Sequence, residues 1–266
     1  AIGYAALDAN TTGTANTAVG GSALGANVSG ASNTAVGYNS MAVNTAANNS
    51  AFGRSSLLVN TSGTANTAIG TDTLVANTTA SNNTAVGFSA LNANTTGARN
   101  TGIGDTALAA NTTGDNNVAV GRGTLDANTT ADANTAVGQA TLGANTTGAS
   151  NTAVGRAALL ANTTGTENVA VGALALDANT TASYNTAVGF DTLSANVLGS
   201  RNVAIGRAAL QVMNPASAVN MYNVAIGYAA GEGVTTGVQN TLIGALAGDA
   251  LTTSSSNTAV GYEALS

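Results

Sequence analysis

The sequence predicts an all-β fold, a parallel β-solenoid of about 17 residues per coil, and three observations carry that expectation. One 17-residue unit recurs from end to end, glycine holds the same place in every copy, and the chain is almost bare of aromatic and charged residues. Of the 266 residues only 3% are aromatic and 7% charged, so no thick core of large side chains can form. Disordered chains are rich in charge and proline. This one has a single proline, 33 glycines and a strict period, which points to stacked repeats.

Aligned on asparagine, the unit reads N-T-A-V-G-x-x-A-L-x-A-N-T-T-G-x-x. It recurs sixteen times, counting a partial copy before Asn16, through Asn33, Asn66, Asn100 and on to Asn257. The spacing is 17 except for 16 after Asn33 and 21 after Asn202. A period of 17 is too short for a helix pair or a propeller blade. It suits one solenoid turn, so residues 1–266 read as a single solenoid array with a bulged loop at about Gln211 to Tyr222, around Pro215.

Position one is Asn in a strand context, normally unfavourable. Stacked at one corner, its amide can bond the amides above and below, as in stacked-strand ladders. Asn16, Asn33, Asn66 and Asn100 form this column, and position twelve (Asn27, Asn94) forms a second. Asn94-Thr95-Thr96 also matches a glycan-acceptor sequon, but asparagines without a sequon recur as faithfully, which favours the structural role. Positions two and four of the first strand share a face and are read as core-facing, with Val19, Phe52, Ile69 and Val188 at position four. Position three is nearly always Ala (Ala18, Ala85, Ala187; Gly102 and Leu242 depart) and is expected to point the other way. A solvent face would tolerate charge there, so constant Ala predicts a second packed surface and self-association as an intertwined or side-by-side homotrimer. Glycine at position five (Gly20, Gly37, Gly121) marks a corner where positive φ or close approach excludes a Cβ. A second strand is expected over L-x-A-N, with Leu24, Leu91 and Leu142 inward, and T-T-G makes the second corner.

Chemistry is sparse. With no His there is no His-based nucleophile activation, and with no Lys no Schiff base. No catalytic residue, cofactor or metal site is expected, and the chain does not read as an enzyme. Glu232 and Asp249, on adjacent coils, read as two solvated charges rather than a Ca²⁺ site. Gly102-Ile103-Gly104 and Gly121-Arg122-Gly123 lack the following helix that a phosphate loop needs. Six Arg, no Lys and a net charge of −6 speak against nucleic-acid binding. Zero Cys fits an extracellular setting, and no run of 18 apolar residues could cross a membrane as a helix. The array begins and ends within a repeat and reads as a segment of a longer chain. One column has binding character: position six, after the recurrent glycine. It holds Tyr4, Tyr38, Arg54, Phe88, Arg122, Arg156, Phe190, Arg207, Tyr228 and Tyr262, with Asp105 beside Arg122 and Phe190 beside Arg207.

Asn202-Val203-Ala204-Ile205-Gly206 and Asn223-Val224-Ala225-Ile226-Gly227 resemble the core motif of YadA-like heads in trimeric autotransporter adhesins. The full unit is similar to repeats of bacterial and phage tail-fibre-domain proteins. The resemblance implies a left-handed β-roll, three chains about one axis, and an extracellular cell-surface or virion-surface fibre that attaches to a surface or receptor, its partners being copies of itself and a host-surface glycan or protein. The 17-residue period exceeds the shorter YadA-like repeat, and no anchor, stalk or chaperone domain accompanies it. An ice-binding β-solenoid is the alternative, because Thr recurs at positions two, thirteen and fourteen. Thirteen and fourteen are sequence neighbours and should point apart, and Val118, Val169, Val203 and Val224 replace the position-two Thr, which counts against it. A polysaccharide-degrading β-helix lacks an acid pair at workable spacing.

Overall fold

The computed structural model describes residues Ala1–Ser266 and contains no helix. The chain is an all-β parallel β-solenoid of about 17 residues per coil, divided into two compact units, Ala1–Ala133 and Asn134–Ser266. In the first unit seven three-residue strands, from Thr17–Val19 to Val118–Val120, pair in parallel. The second repeats the pattern with eight, from Thr135–Val137 to Thr258–Val260. Register places like on like: Ala85 partners Gly102 and Ala68, and Val86 partners Ile103. Positive φ recurs at the same repeat positions from coil to coil, and side chains of one repeat position form a file along the axis.

The phase of the strand is opposite to the one expected. Position three is the core residue: Ala35, Ala85, Ala119 and Ala187 are all fully buried. Positions two and four face outward, with Ile69 42% and Ile243 38% exposed. The Asn at position one sets this phase, because its buried amide must lie inside to reach the neighbouring coil, and alternation then carries position three inward with it. The interior is thin, and Leu at position nine already fills it from the opposite wall. A Cβ added at Gly102 would lie 3.4 Å from Leu91 Cγ, which places the two files in contact. The exception at Leu242 supports the same reading. It enters the core where position nine has become glycine, and a Cβ at Gly231 or Gly248 would come within 2.7 Å of its methyl groups. A large residue on one wall is accepted only where the other wall has shrunk. The inference that position three forms an intermolecular surface is therefore overturned.

The expected second strand is also absent. Positions seven to nine run through consecutive turns in which positions seven and nine take left-handed φ, as at Ser89 (52°) and Leu91 (50°). Left-handed residues break the period-two alternation, so neighbours eight and nine, such as Ala90 and Leu91, are both fully buried. Such conformations cost about 1–2 kcal/mol per non-glycine residue. Bonds between coils offset this: Leu91 N–H donates to the Ala107 carbonyl (2.9 Å) and Ala93 N–H to that of Ala109 (3.0 Å).

The glycine at position five is required twice over. Gly20 and Gly37 have φ of 132° and 137°, and a Cβ on either would sit 2.5 or 2.4 Å from the next glycine's carbonyl oxygen. Gly121 keeps the same left-hand conformation at 136°. The extra residues of the 21-residue coil leave the file near Asn214 and return through Val219–Asn220, which pairs in parallel with Gly199–Ser200.

Candidate recognition surface

Two asparagine columns hold the wall that supports the outward face. At position twelve the amides bond one another directly: Asn94 Nδ2 donates to Asn77 Oδ1 (3.0 Å) and to the Gly97 carbonyl (2.9 Å). At position one the relay passes through the backbone. Asn100 N–H donates to Asn83 Oδ1 (2.9 Å), while Asn100 Nδ2 donates to the Gly114 carbonyl (2.7 Å). Asn16, Asn33 and Asn66 repeat this arrangement. The single-residue deletion after Asn33 leaves its mark, since Asn27 donates to Asn10 Oδ1 but its own buried Oδ1 has no partner. Because Asn94 is wholly buried, the sequon it heads is closed to glycosylation in the folded chain.

The outward face built on this wall is uniform. Position two is Thr, Ser or Val and position four is Val, Ile or Phe in every strand, and no charged side chain occurs at either. Seven or eight strands about 4.8 Å apart, each about 10 Å long, present roughly 350 Å² of flat surface per unit. Monomeric soluble proteins seldom expose apolar patches much larger than this.

Two files flank the face. Position six lies just beyond the glycine corner, and Tyr4, Tyr38, Phe88, Phe190, Tyr228 and Tyr262 are all exposed there, between 46% and 89%. Of its arginines, Arg54 pairs with Asp72 at 2.6 Å and Arg122 with Asp105 at 3.8 Å, while Arg156 is exposed. The column does not act as one surface. Gly21 stands between Tyr4 and Tyr38, and ring contacts form only where Arg207 lies over Phe190 (6.0 Å) and Tyr228 (5.5 Å).

The other file escaped the sequence reading. Position seventeen, just before the buried Asn, holds Tyr184, Arg201 and Tyr222 in three successive coils, all exposed, with Arg201 4.5 Å over the Tyr184 ring. The signal was present as an aromatic–Arg–aromatic run one residue ahead of the alignment anchor. It was hidden because that position is elsewhere small or polar.

The acidic residues form no metal cluster of three or more ligating side chains. Asp126 and Asp177 are half-buried at position ten, and burial raises both pKa values above the ordinary 3.8. Their own backbone hydrogen bonds oppose the rise, and the charge of Asp191 adds to it at Asp177. A raised folded-state pKa means that the folded chain holds the proton more tightly, so stability falls as pH climbs through the shifted range. Asp177→Asn is expected to raise stability at pH 7 by less than about 1 kcal/mol, given solvent screening. Well below pH 3.8 it should change nothing, and thermal melts across pH 3–7 would check both limits.

No family model, curated protein or solved structure matches the chain. No helix is long and apolar enough to cross a membrane.

Proposed function

We propose that this chain is a non-enzymatic structural and adhesive segment of an extracellular fibre, in which the Thr/Val face packs against copies of the same chain. The observation that carries the reading is the outward pair of files at positions two and four, apolar or hydroxyl-bearing in every strand and never charged. Each unit by itself offers roughly 350 Å² of such surface, a size at which exposed patches are often functional. Three chains about one axis would give each face a neighbour, in line with the motif resemblance to YadA-like heads, and would leave positions six and seventeen at the rim.

The test is the native mass. The wild-type chain should travel as a multiple of 25.4 kDa, with three the expected number. Ile103→Lys with Val120→Lys should release monomers with unchanged circular dichroism, since both side chains point outward. A wild-type monomer at micromolar concentration would end the self-association reading.

One observation favours the ice-binding alternative as a second reading. Positions thirteen and fourteen are sequence neighbours, whereas positions two and four lie together on a flat, regularly spaced sheet face. Hydroxyl and methyl groups on a rigid grid can order water at an ice surface. That role requires a free and intact face, so the wild type should be assayed for thermal hysteresis, with the double variant as the control whose face is disrupted. Hysteresis in a monomeric wild type would select this reading over the fibre.

A further inference from the structure

Three successive coils of the second unit break the uniformity of the face at both margins together. On one side Tyr184, Arg201 and Tyr222 follow one another along the axis; on the other, Phe190, Arg207 and Tyr228 do the same. Between them run the paired strands Thr186–Val188, Val203–Ile205 and Val224–Ile226. In the last two of these, position two has changed from Thr to Val.

The two arginines differ from three of the four elsewhere, and from the fourth, Arg156, in lying over aromatic rings. Arg54, Arg99 and Arg122 each have an aspartate within 4 Å. Arg201 and Arg207 have none. Arg201 Nε donates to Asn220 Oδ1 (3.2 Å) and Arg207 Nη1 to the Tyr228 hydroxyl (3.1 Å), each against an aromatic ring. A guanidinium carries five N–H donors. Most of those on each arginine stay free, in a chain whose net charge is −6. Two cations without counter-charges, each held against an aromatic ring, keep N–H donors to offer an anion such as a carboxylate.

We propose that these margins bind an acidic polysaccharide, one with a carboxylate on alternate sugars, lying along the solenoid axis. The rings of one ladder are two coils apart, about 10 Å. That is close to the length of a disaccharide, so an aromatic–Arg–aromatic ladder matches a neutral–acidic–neutral run of sugars. The uronate meets the guanidinium, and the sugars on either side pack against the exposed parts of the rings that the arginine leaves uncovered. An acidic peptide fits less well. Extended peptides gain affinity by adding to a free sheet edge, and each of these three strands is already paired on both sides. The face offers side chains only. The proposal deepens the adhesive reading and rests on it for its biological sense, but each ladder is complete within one chain.

The experiment titrates the full chain with labelled hyaluronate oligosaccharide, its carboxyl-reduced neutral form, and poly-glutamate, with native mass measured in parallel. Wild type should bind the uronate form and lose about tenfold or more against the reduced form, the value of a charge-assisted hydrogen bond. Arg201→Ala with Arg207→Ala should lose a similar factor, with mass and circular dichroism unchanged. Arg201→Lys with Arg207→Lys keeps the charge but not the planar stack, and should fall between. Failure of wild type to bind the uronate form, equal binding by the double Ala variant, or poly-glutamate binding as tight as the saccharide would each overturn the proposal. None of these outcomes depends on the native mass, so loss of the glycan site and loss of self-association are read separately.

Discussion

Gly87→Ala is expected to destabilise the first unit by about 3–5 kcal/mol, combining an unfavourable backbone conformation with an overpacked contact. Gly87 has φ of 132°, and a Cβ there would stand 2.4 Å from the Gly104 carbonyl oxygen and 2.7 Å from its carbon. The atoms it strikes are backbone, so no rotamer change relieves the contact. Nor can the coils move apart cheaply. Gly87 N–H donates to the Ile69 carbonyl and Gly104 N–H to that of Val86, both at 2.8 Å, and separation would lengthen the second of these. In a repeat array the damage should stay near its source, since each coil touches only its neighbours. Hydrogen exchange should therefore rise most between about residues 67 and 120, and urea titration should give the total. A loss under 1 kcal/mol would show that the corner tolerates a side chain and that the glycine file has another cause.

Asn111→Leu should cost a comparable 3–5 kcal/mol, although it adds apolar volume to a buried site. Asn111 Nδ2 donates to Asn94 Oδ1 (2.9 Å) and to the Gly114 carbonyl (3.0 Å), and its Oδ1 accepts from Asn128 Nδ2 (2.9 Å). Leucine removes all three bonds and strands the buried Asn94 Oδ1 and one N–H of Asn128 Nδ2, at about 1–3 kcal/mol for each, while the Gly114 carbonyl keeps its bond from Asn100 Nδ2. The chain itself shows where such a change is accepted. After Asn196 the column continues as Met213 and Val234, both fully buried, and the Asn196 Oδ1 instead accepts from the Gly199 N–H (3.0 Å). Ending the column is permitted where a backbone donor takes over; interrupting it midway is not. Equilibrium unfolding of Asn111→Leu beside Thr96→Ala, an exposed change in a neighbouring coil, would separate the amide effect from general sensitivity of the region. Equal stabilities for the two variants would remove the amide column as a source of strength.

Much of the architecture was legible because it is periodic. Recurrent Gly20, Gly37 and Gly121 called for a corner without a Cβ, and the recurrent asparagines called for stacked amides. Both follow from the geometry of any coil laid on its copy. The strand's facing was misread because size was taken as the guide to burial. Val and Ile are larger than Ala, but the interior opposite Leu91 or Leu108 has room only for a methyl group. The turn over positions seven to nine was equally hidden, since left-handed Leu91 and Ser89 are unusual conformations that no local preference announces. For the candidate site, the position-six column was read as exposed, and the stacking of Arg207 on Phe190 was anticipated. The parallel column of Tyr184, Arg201 and Tyr222 was not, because its binding character is confined to three coils.

The period, the glycine corners and the two amide columns follow from the amino-acid order alone, because a unit repeated along a stack can align only with itself. Which side of each strand faces inward, how position nine turns, and where two aromatic–arginine files flank the same strands depend on the shape of the closed coil. Those features arise from how opposite walls share a narrow interior, a relation between residues several positions apart that no single repeat position carries.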